Sequence, residues 1–244
     1  MAMNLRVLPL AAATLAGIVA LSDRPALAAD EITIGAPLPL TGALSPEGEK
    51  LKMGYELWLE ELDKRGGIDV GGVKHKVKLV YSDYQSQTPR AVQLAEKLIT
   101  SDKVNFLFSP FGSGAIKAAS SVAEKYGVPM MASTASSKEV YDQNYKNLFG
   151  LYTPNDTLSE PIATLVKAKF PDVTRVAILA RNDLYPLALG GEFKKSAESR
   201  GLQVVYFEKY TIGTLDHAAA ITQIGAAKPD WIIATGYILS LIHI

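Results

Sequence analysis

From Ile32 onward, short apolar runs rich in β-branched residues alternate with longer stretches of helical period, and few architectures accommodate that order. Residues 32–37 form the first run, closed by prolines. Residues 47–65 place Leu51, Tyr55, Trp58 and Leu62 at helical spacing with charges opposite, and Gly66-Gly67 supplies a glycine stop. Residues 73–83 alternate Val77, Leu79 and Tyr81 against lysines, the pattern of a half-exposed strand. Residues 88–102 read as amphipathic helix, 104–109 as buried strand, 113–126 as helix and 128–132 as strand. A repeated βα order implies a parallel sheet with helices on both faces.

A second series follows. Residues 147–152 are strand-like, and Thr153-Pro154-Asn155-Asp156 is a polar turn suited to a crossing between lobes. Helices are expected at 159–170, 186–200 and 215–227, and strands at 175–180, 203–209 and 231–235. The sequence therefore predicts an α/β protein of two lobes on parallel, doubly wound, Rossmann-like sheets. The first lobe spans 30–152, and the second, over 153–238, is incomplete. Trp58 and Trp231 read as core.

The ends follow different rules. Residues 1–29 read as a cleaved export signal: Arg6, an apolar run over 7–21, then Ala26-Leu27-Ala28 as a small-x-small site. The run is shorter than the ~20 residues a spanning helix needs, so a periplasmic location is expected. Residues 239–244, Leu-Ser-Leu-Ile-His-Ile, obey no turn or cap pattern and resemble the translation of a transposase adapter used in sequencing libraries. Native sequence is thus expected to end near Ile238, in a truncated gene.

Composition removes several classes of chemistry. Lys plus Arg equals Asp plus Glu at 25 each, so no basic field invites nucleic acid. With no cysteine, thiolate sites and disulfides are out, and His75, His217 and His243 are too scattered for a metal cluster. Enzyme signatures fail as well. Gly112-Ser113-Gly114 is followed by Lys117 where a dinucleotide loop needs its third glycine, and no GxSxG, HExxH, Walker A or SxxK occurs. Glu56, Glu60 and Glu61 fall on a helix face open to solvent. No enzyme activity, cofactor or metal is expected.

Open parallel sheets bind ligands beyond the carboxyl ends of their strands. After 104–109 comes Pro110-Phe111-Gly112-Ser113-Gly114, opening a helix whose free N–H groups suit an anion, with Ser113 as hydroxyl donor or simple N-cap. After 128–132 comes Ser133-Thr134-Ala135-Ser136-Ser137, a second polar wall or a solvated turn. In the second lobe the same positions carry Arg181-Asn182-Asp183-Leu184-Tyr185 and Gly236-Tyr237.

The opening Ile32-Thr-Ile-Gly-Ala-Pro-Leu-Pro-Leu-Thr-Gly42, with Gly66-Gly67-Ile68, the 109–113 loop and Ala123-Glu-Lys-Tyr-Gly-Val-Pro129, resembles the type I periplasmic binding proteins, in their Leu/Ile/Val-binding branch. The resemblance spans residues 31–237. It implies that Ser113 binds a ligand carboxylate and Thr134 offers a backbone carbonyl to the ammonium group. Ser136 would add a hydroxyl, Ala135 would lie in the same loop, and Tyr185 and Tyr237 would close from the second lobe. Phe111, Gly112 and Glu47 are further candidates. Glu47 stands where the family carries an aromatic residue, Pro186 replaces a glycine, and the family's ammonium-binding acid would fall beyond Ile238. The function implied is a receptor, monomeric when full length, delivering an amino acid or small carboxylate to the permease of an ABC importer. The alternatives are a sensory or chemotaxis ectodomain, or a binder of amides, urea or aromatic carboxylates.

Overall fold

The computed structural model describes residues 31–242. The expected export signal over 1–29 and the last two residues lie outside them. The first sheet has five parallel strands in the order β4-β1-β5-β6-β7, formed by β1 (Ile32–Leu38), β4 (Val77–Asp83), β5 (Phe106–Phe108), β6 (Met130–Ala132) and β7 (Leu148–Gly150). Helices α1 (Ser45–Lys64), α2 (Thr88–Thr100) and α3 (Ser113–Tyr126) connect its strands. Apolar residues of α2 and α3, among them Leu98, Ala119 and Val122, pack on Leu107 and Met130 to form its core. Each fully buried large side chain among them, Leu98, Leu107 and Met130, contributes about 1.5–3 kcal/mol.

The second sheet runs β10-β8-β9, all parallel, from β8 (Arg175–Arg181), β9 (Gln203–Tyr210) and β10 (Trp231–Thr235). Helices α4 (Asn155–Lys169), α5 (Leu184–Glu198) and α6 (Ala218–Ala227) accompany it. Its core gathers Val166, Val176, Ile178, Phe193 and Leu202. Both sheets are thus of the parallel βα kind expected. Among the described residues no helix is long and apolar enough to cross a membrane.

Several local expectations need correction. The single strand expected over 73–83 is broken at Lys76: β3 (Val73–His75) folds back on β2 (Ile68–Val70) as an antiparallel hairpin, and only β4 joins the sheet. The α4 helix starts at Asn155 rather than 159, taking up the expected crossing turn, with Pro154 extended ahead of it and Pro161 inside its early turns. In α6 the start moves to Ala218, because Asp216 accepts the Ala218 N–H and holds the preceding residues in a turn. Neither tryptophan is fully buried. Trp58 packs edge-on against Phe108 but remains 37% exposed, and Trp231 is half-buried against Phe170. Only Glu47 and Gly48 of α1 are buried, so its Leu51–Leu62 stripe covers the sheet partially.

Candidate functional site

The first wall grows from two adjacent loops of the first sheet. After β5 the chain turns at Gly112, whose φ of +86° suits glycine, and enters α3. A side chain there would also press on the Tyr237 hydroxyl, 3.2 Å from an added Cβ. The loop after β6 is tied to this turn by three hydrogen bonds. The Gly112 N–H donates to Thr134 Oγ1 at 3.0 Å, the Ser133 N–H to Ser109 Oγ at 3.2 Å, and the Ser137 N–H to Ser113 Oγ at 3.3 Å. The hydroxyl-rich loop is therefore internal structure rather than a solvated turn, with Ser136 and Ser137 buried. The α3 helix begins directly after Gly112 of this wall, and the free N–H groups of a helix start favour an anion.

The second wall comes from the ends of β8 and β10. Tyr237 is its centre. Its ring meets Phe111 edge-on at 5.2 Å, stacks on Tyr185 at 6.0 Å, and carries the Arg181 guanidinium 4.7 Å above it. Burial pushes its hydroxyl well above the ordinary tyrosine value. Gly236 precedes it because any Cβ would collide with the Tyr210 hydroxyl. The residues expected to follow no cap logic in fact cap well. They wind into α7 (Ile238–Leu241), where Ser240 Oγ accepts the Tyr237 N–H at 3.3 Å and donates to the Tyr237 carbonyl at 2.9 Å. The Tyr210 hydroxyl also donates to Ser240 Oγ, at 3.0 Å.

Glu47 joins the walls. It lies in the first turn of α1, is 8% exposed, and its Oε1 accepts the Ile238 N–H at 2.9 Å. The loop ahead of α1 is anchored by Asp83, whose carboxylate accepts the N–H groups of Leu40, Thr41 and Gln85 and the Thr41 hydroxyl. Burial alone would raise the Asp83 pKa, but these bonds outweigh it and hold it below the usual aspartate value. In the second lobe burial wins: Asp183 is pushed up to about 6 even with Arg181 Nε 3.2 Å away.

Between the walls lies a cavity of about 550 Å³. Of the residues expected from the sequence, Glu47, Phe111, Gly112, Thr134, Ser136, Tyr185 and Tyr237 line it. Ser113 and Ala135 do not. Both are fully buried one layer behind the wall, Ser113 held by the Ser137 N–H and Ala135 by the Tyr141 hydroxyl on its carbonyl. Tyr152 and Ile238, not expected as site residues, line the cavity. Tyr152 follows β7, so the strand-end rule that found the others apart from Glu47 also reaches it. Among the described residues Glu47 is the only charged side chain on the wall, beside hydroxyls, aromatic rings and the aliphatic Ile238, Leu241 and Ile242. Among the described residues no group of three His, Asp or Glu is placed to hold a metal ion.

The arrangement has known counterparts. The family model described as "Periplasmic binding protein" matches residues 31–244. The Leu/Ile/Val-binding protein BraC3 of Rhizobium johnstonii is 30% identical over 211 residues, covering 86% of this chain and 56% of that protein. Among solved structures, the branched-chain amino acid transporter substrate-binding protein LivJ of Streptococcus pneumoniae, in complex with isoleucine, superposes with a TM-score of 0.75. It is 26% identical, over 85% of this chain and 57% of its own. A solute-binding protein of an ABC transporter from R. palustris, in complex with 4-hydroxybenzoate, has a TM-score of 0.76 at 24% identity, over 85% of this chain and 54% of its own. The chain spans a little over half the length of these relatives.

Proposed function

Because the chain belongs to the type I periplasmic binding protein family, we propose that it is a non-enzymatic solute receptor, which captures an amino acid or similar small carboxylate between its two sheets for delivery to the permease of an ABC importer in the periplasm. The observation that carries this reading is the cavity whose wall is drawn from the strand ends of both sheets, with the Glu47–Ile238 hydrogen bond crossing it. A ligand touching both walls gains contacts only when they are together. It therefore shifts an open–closed equilibrium by its differential affinity for the closed state.

In this reading the ligand carboxylate lies at the α3 N-terminus, with the Thr134 and Ser136 hydroxyls beside it and Ser113 bracing the loop from behind. The Thr134 carbonyl faces the ligand's ammonium group, and Tyr185 and Tyr237 close over it. Ser136 Oγ is buried without a hydrogen-bond partner, so this hydroxyl reaches the ligand only if the loop shifts as the walls close. The test is titration calorimetry of the full chain against the standard amino acids and aromatic carboxylates, with small-angle scattering on the same samples. Binding of one of these with compaction is the expected result. Saturation without compaction would remove the clamp, and no binding at all would remove the receptor.

A further inference from the structure

A second, smaller cavity of about 120 Å³ opens beside Tyr237 and is drawn from both lobes. Ser86, Thr88 and Gly114 line it from the first, Arg181 and Asp183 from the second. Phe111 and Tyr237 line this cavity and the solute cavity alike, so their rings stand between the two. Arg181, the last residue of β8, is 6% exposed, and its guanidinium is poorly served by the protein. The Asp183 carboxylate lies 3.2 Å from Nε without hydrogen-bond geometry, and the Tyr237 ring lies 4.7 Å from the guanidinium carbon. Nε is sealed from solvent; the two outer nitrogens are not, and among the described residues neither has a hydrogen-bond partner. A guanidinium carries five donors in a planar fork, and a buried one left unused is costly. Two helices also begin at this cavity. Thr88 opens α2 and Gly114 lies in the first turn of α3, and neither first turn holds an acidic side chain. Among the described residues Asp183 is the only acid in the lining. Its charge is matched by Arg181, which leaves the positive ends of both helices uncompensated.

We propose that this cavity is an anion site distinct from the solute cavity, holding a small free anion of chloride or formate size on the outer edge of Arg181. A volume of about 120 Å³ is room for one such ion and a few waters. The ion touches the second lobe through Arg181 and the first through Thr88 and the start of α3, and so ties the lobes together. The inference goes beyond the receptor reading and stands without it.

Thermal melts of the full chain in sodium chloride, sodium formate and sodium gluconate at one ionic strength test the site, gluconate serving as an anion too bulky to enter. Chloride at about fivefold over its Kd should raise the Tm by about 2–4 °C relative to gluconate, on a curve that saturates, and formate should do the same. Chloride-35 NMR reads binding directly: the protein should broaden the line, and added formate should narrow it again. Arg181→Gln should remove both effects. Should that variant fold poorly, Gly114→Asp carries the test. An added Cβ there meets nothing closer than the Leu184 Cβ at 3.9 Å, and the new carboxylate would stand in for the anion. Equal Tm in chloride and gluconate, a rise that never saturates, or line broadening that survives formate or Gly114→Asp overturns the site.

Discussion

Each lobe carries an aspartate close to the carboxyl end of a strand and ahead of a helix, and the two are treated in opposite ways. Asp83, closing β4, accepts three hydrogen bonds that fasten the loop leading to α1 and a fourth from the Gln85 N–H. Asp183, beyond the end of β8, occupies the N-cap of α5 without making a cap bond, and its Oδ1 has no partner. Arg181 Nε faces it at 3.2 Å but without hydrogen-bond geometry. The Asp83 carboxylate is thus fully engaged, whereas Asp183 Oδ1 is one of several buried polar atoms without a partner, which are spread over both lobes and include Glu47 Oε2, Tyr81 Oη, Ser136 Oγ and His217 Nδ1. Each such group costs roughly 1–3 kcal/mol while unpaired.

The strongest way to break the comparison is through the cores. Phe193, 1% exposed, anchors the second sheet, so Phe193→Ala should cost about 3–5 kcal/mol, and Leu107→Ala in the first about 2–5 kcal/mol. Differential scanning calorimetry should show each variant depressing its own lobe's transition; a single shared transition lowered equally by both would make the lobes one cooperative unit. Next comes the cleft between the lobes. Tyr237→Ala removes the ring that touches Phe111, Tyr185 and Arg181, and should weaken ligand binding by about 2–3 kcal/mol, mainly through faster dissociation. Stopped-flow release rates unchanged from wild type would show that the ring only packs.

Ser113→Ala probes the layer behind the first wall. It leaves the buried Ser137 N–H without an acceptor, at about 1–3 kcal/mol of stability, and should loosen the Thr134–Ser136 loop. A variant with the wild-type Tm but weaker binding would put Ser113 on the ligand instead. The smallest effects sharpen the contrast between the aspartates. Asp183, raised to about 6, holds a proton more tightly in the folded state than the unfolded chain does. The stability it adds is therefore present at low pH and lost as pH rises through 6. Asp183→Asn should raise stability by about 1 kcal/mol at pH 7.5 and change little at pH 4.5. Asp83 lies below its usual value, so its contribution is present at neutral pH and lost as pH falls through the folded-state value. Asp83→Asn should cost about 1 kcal/mol at pH 7 and little in acid. Thermal melts across pH that gave both variants the same sign would erase the distinction.

Much of the frame is readable from local pattern. The helical run over 113–126 coincides with α3 and the apolar run over 231–235 with β10, because period and boundary signals agree there. The strand-end rule also found most of the cavity wall, since a parallel sheet brings those ends together whatever the loops contain. Depth was not legible. Ser113 and Ser136 are both serines in strand-end loops, yet one sits behind the wall and the other on it. Trp58 looked like core by its spacing, but its burial depends on what lies over the far side of α1. The turn at Lys76 was hidden because Val73 and Val77 keep one alternation across the break.

Pattern alone determined the βα order, the parallel sheets, the absence of thiol chemistry and the loops from which a site would be drawn. Those properties follow from each residue's own backbone preference and polarity. Only the tertiary structure decided that Glu47 meets the backbone of Ile238, 191 residues away, and that its other oxygen is left without a donor. No local rule fixes such a pairing. It is set by how the two sheets come to face each other, and by which polar groups are shut between them when they do.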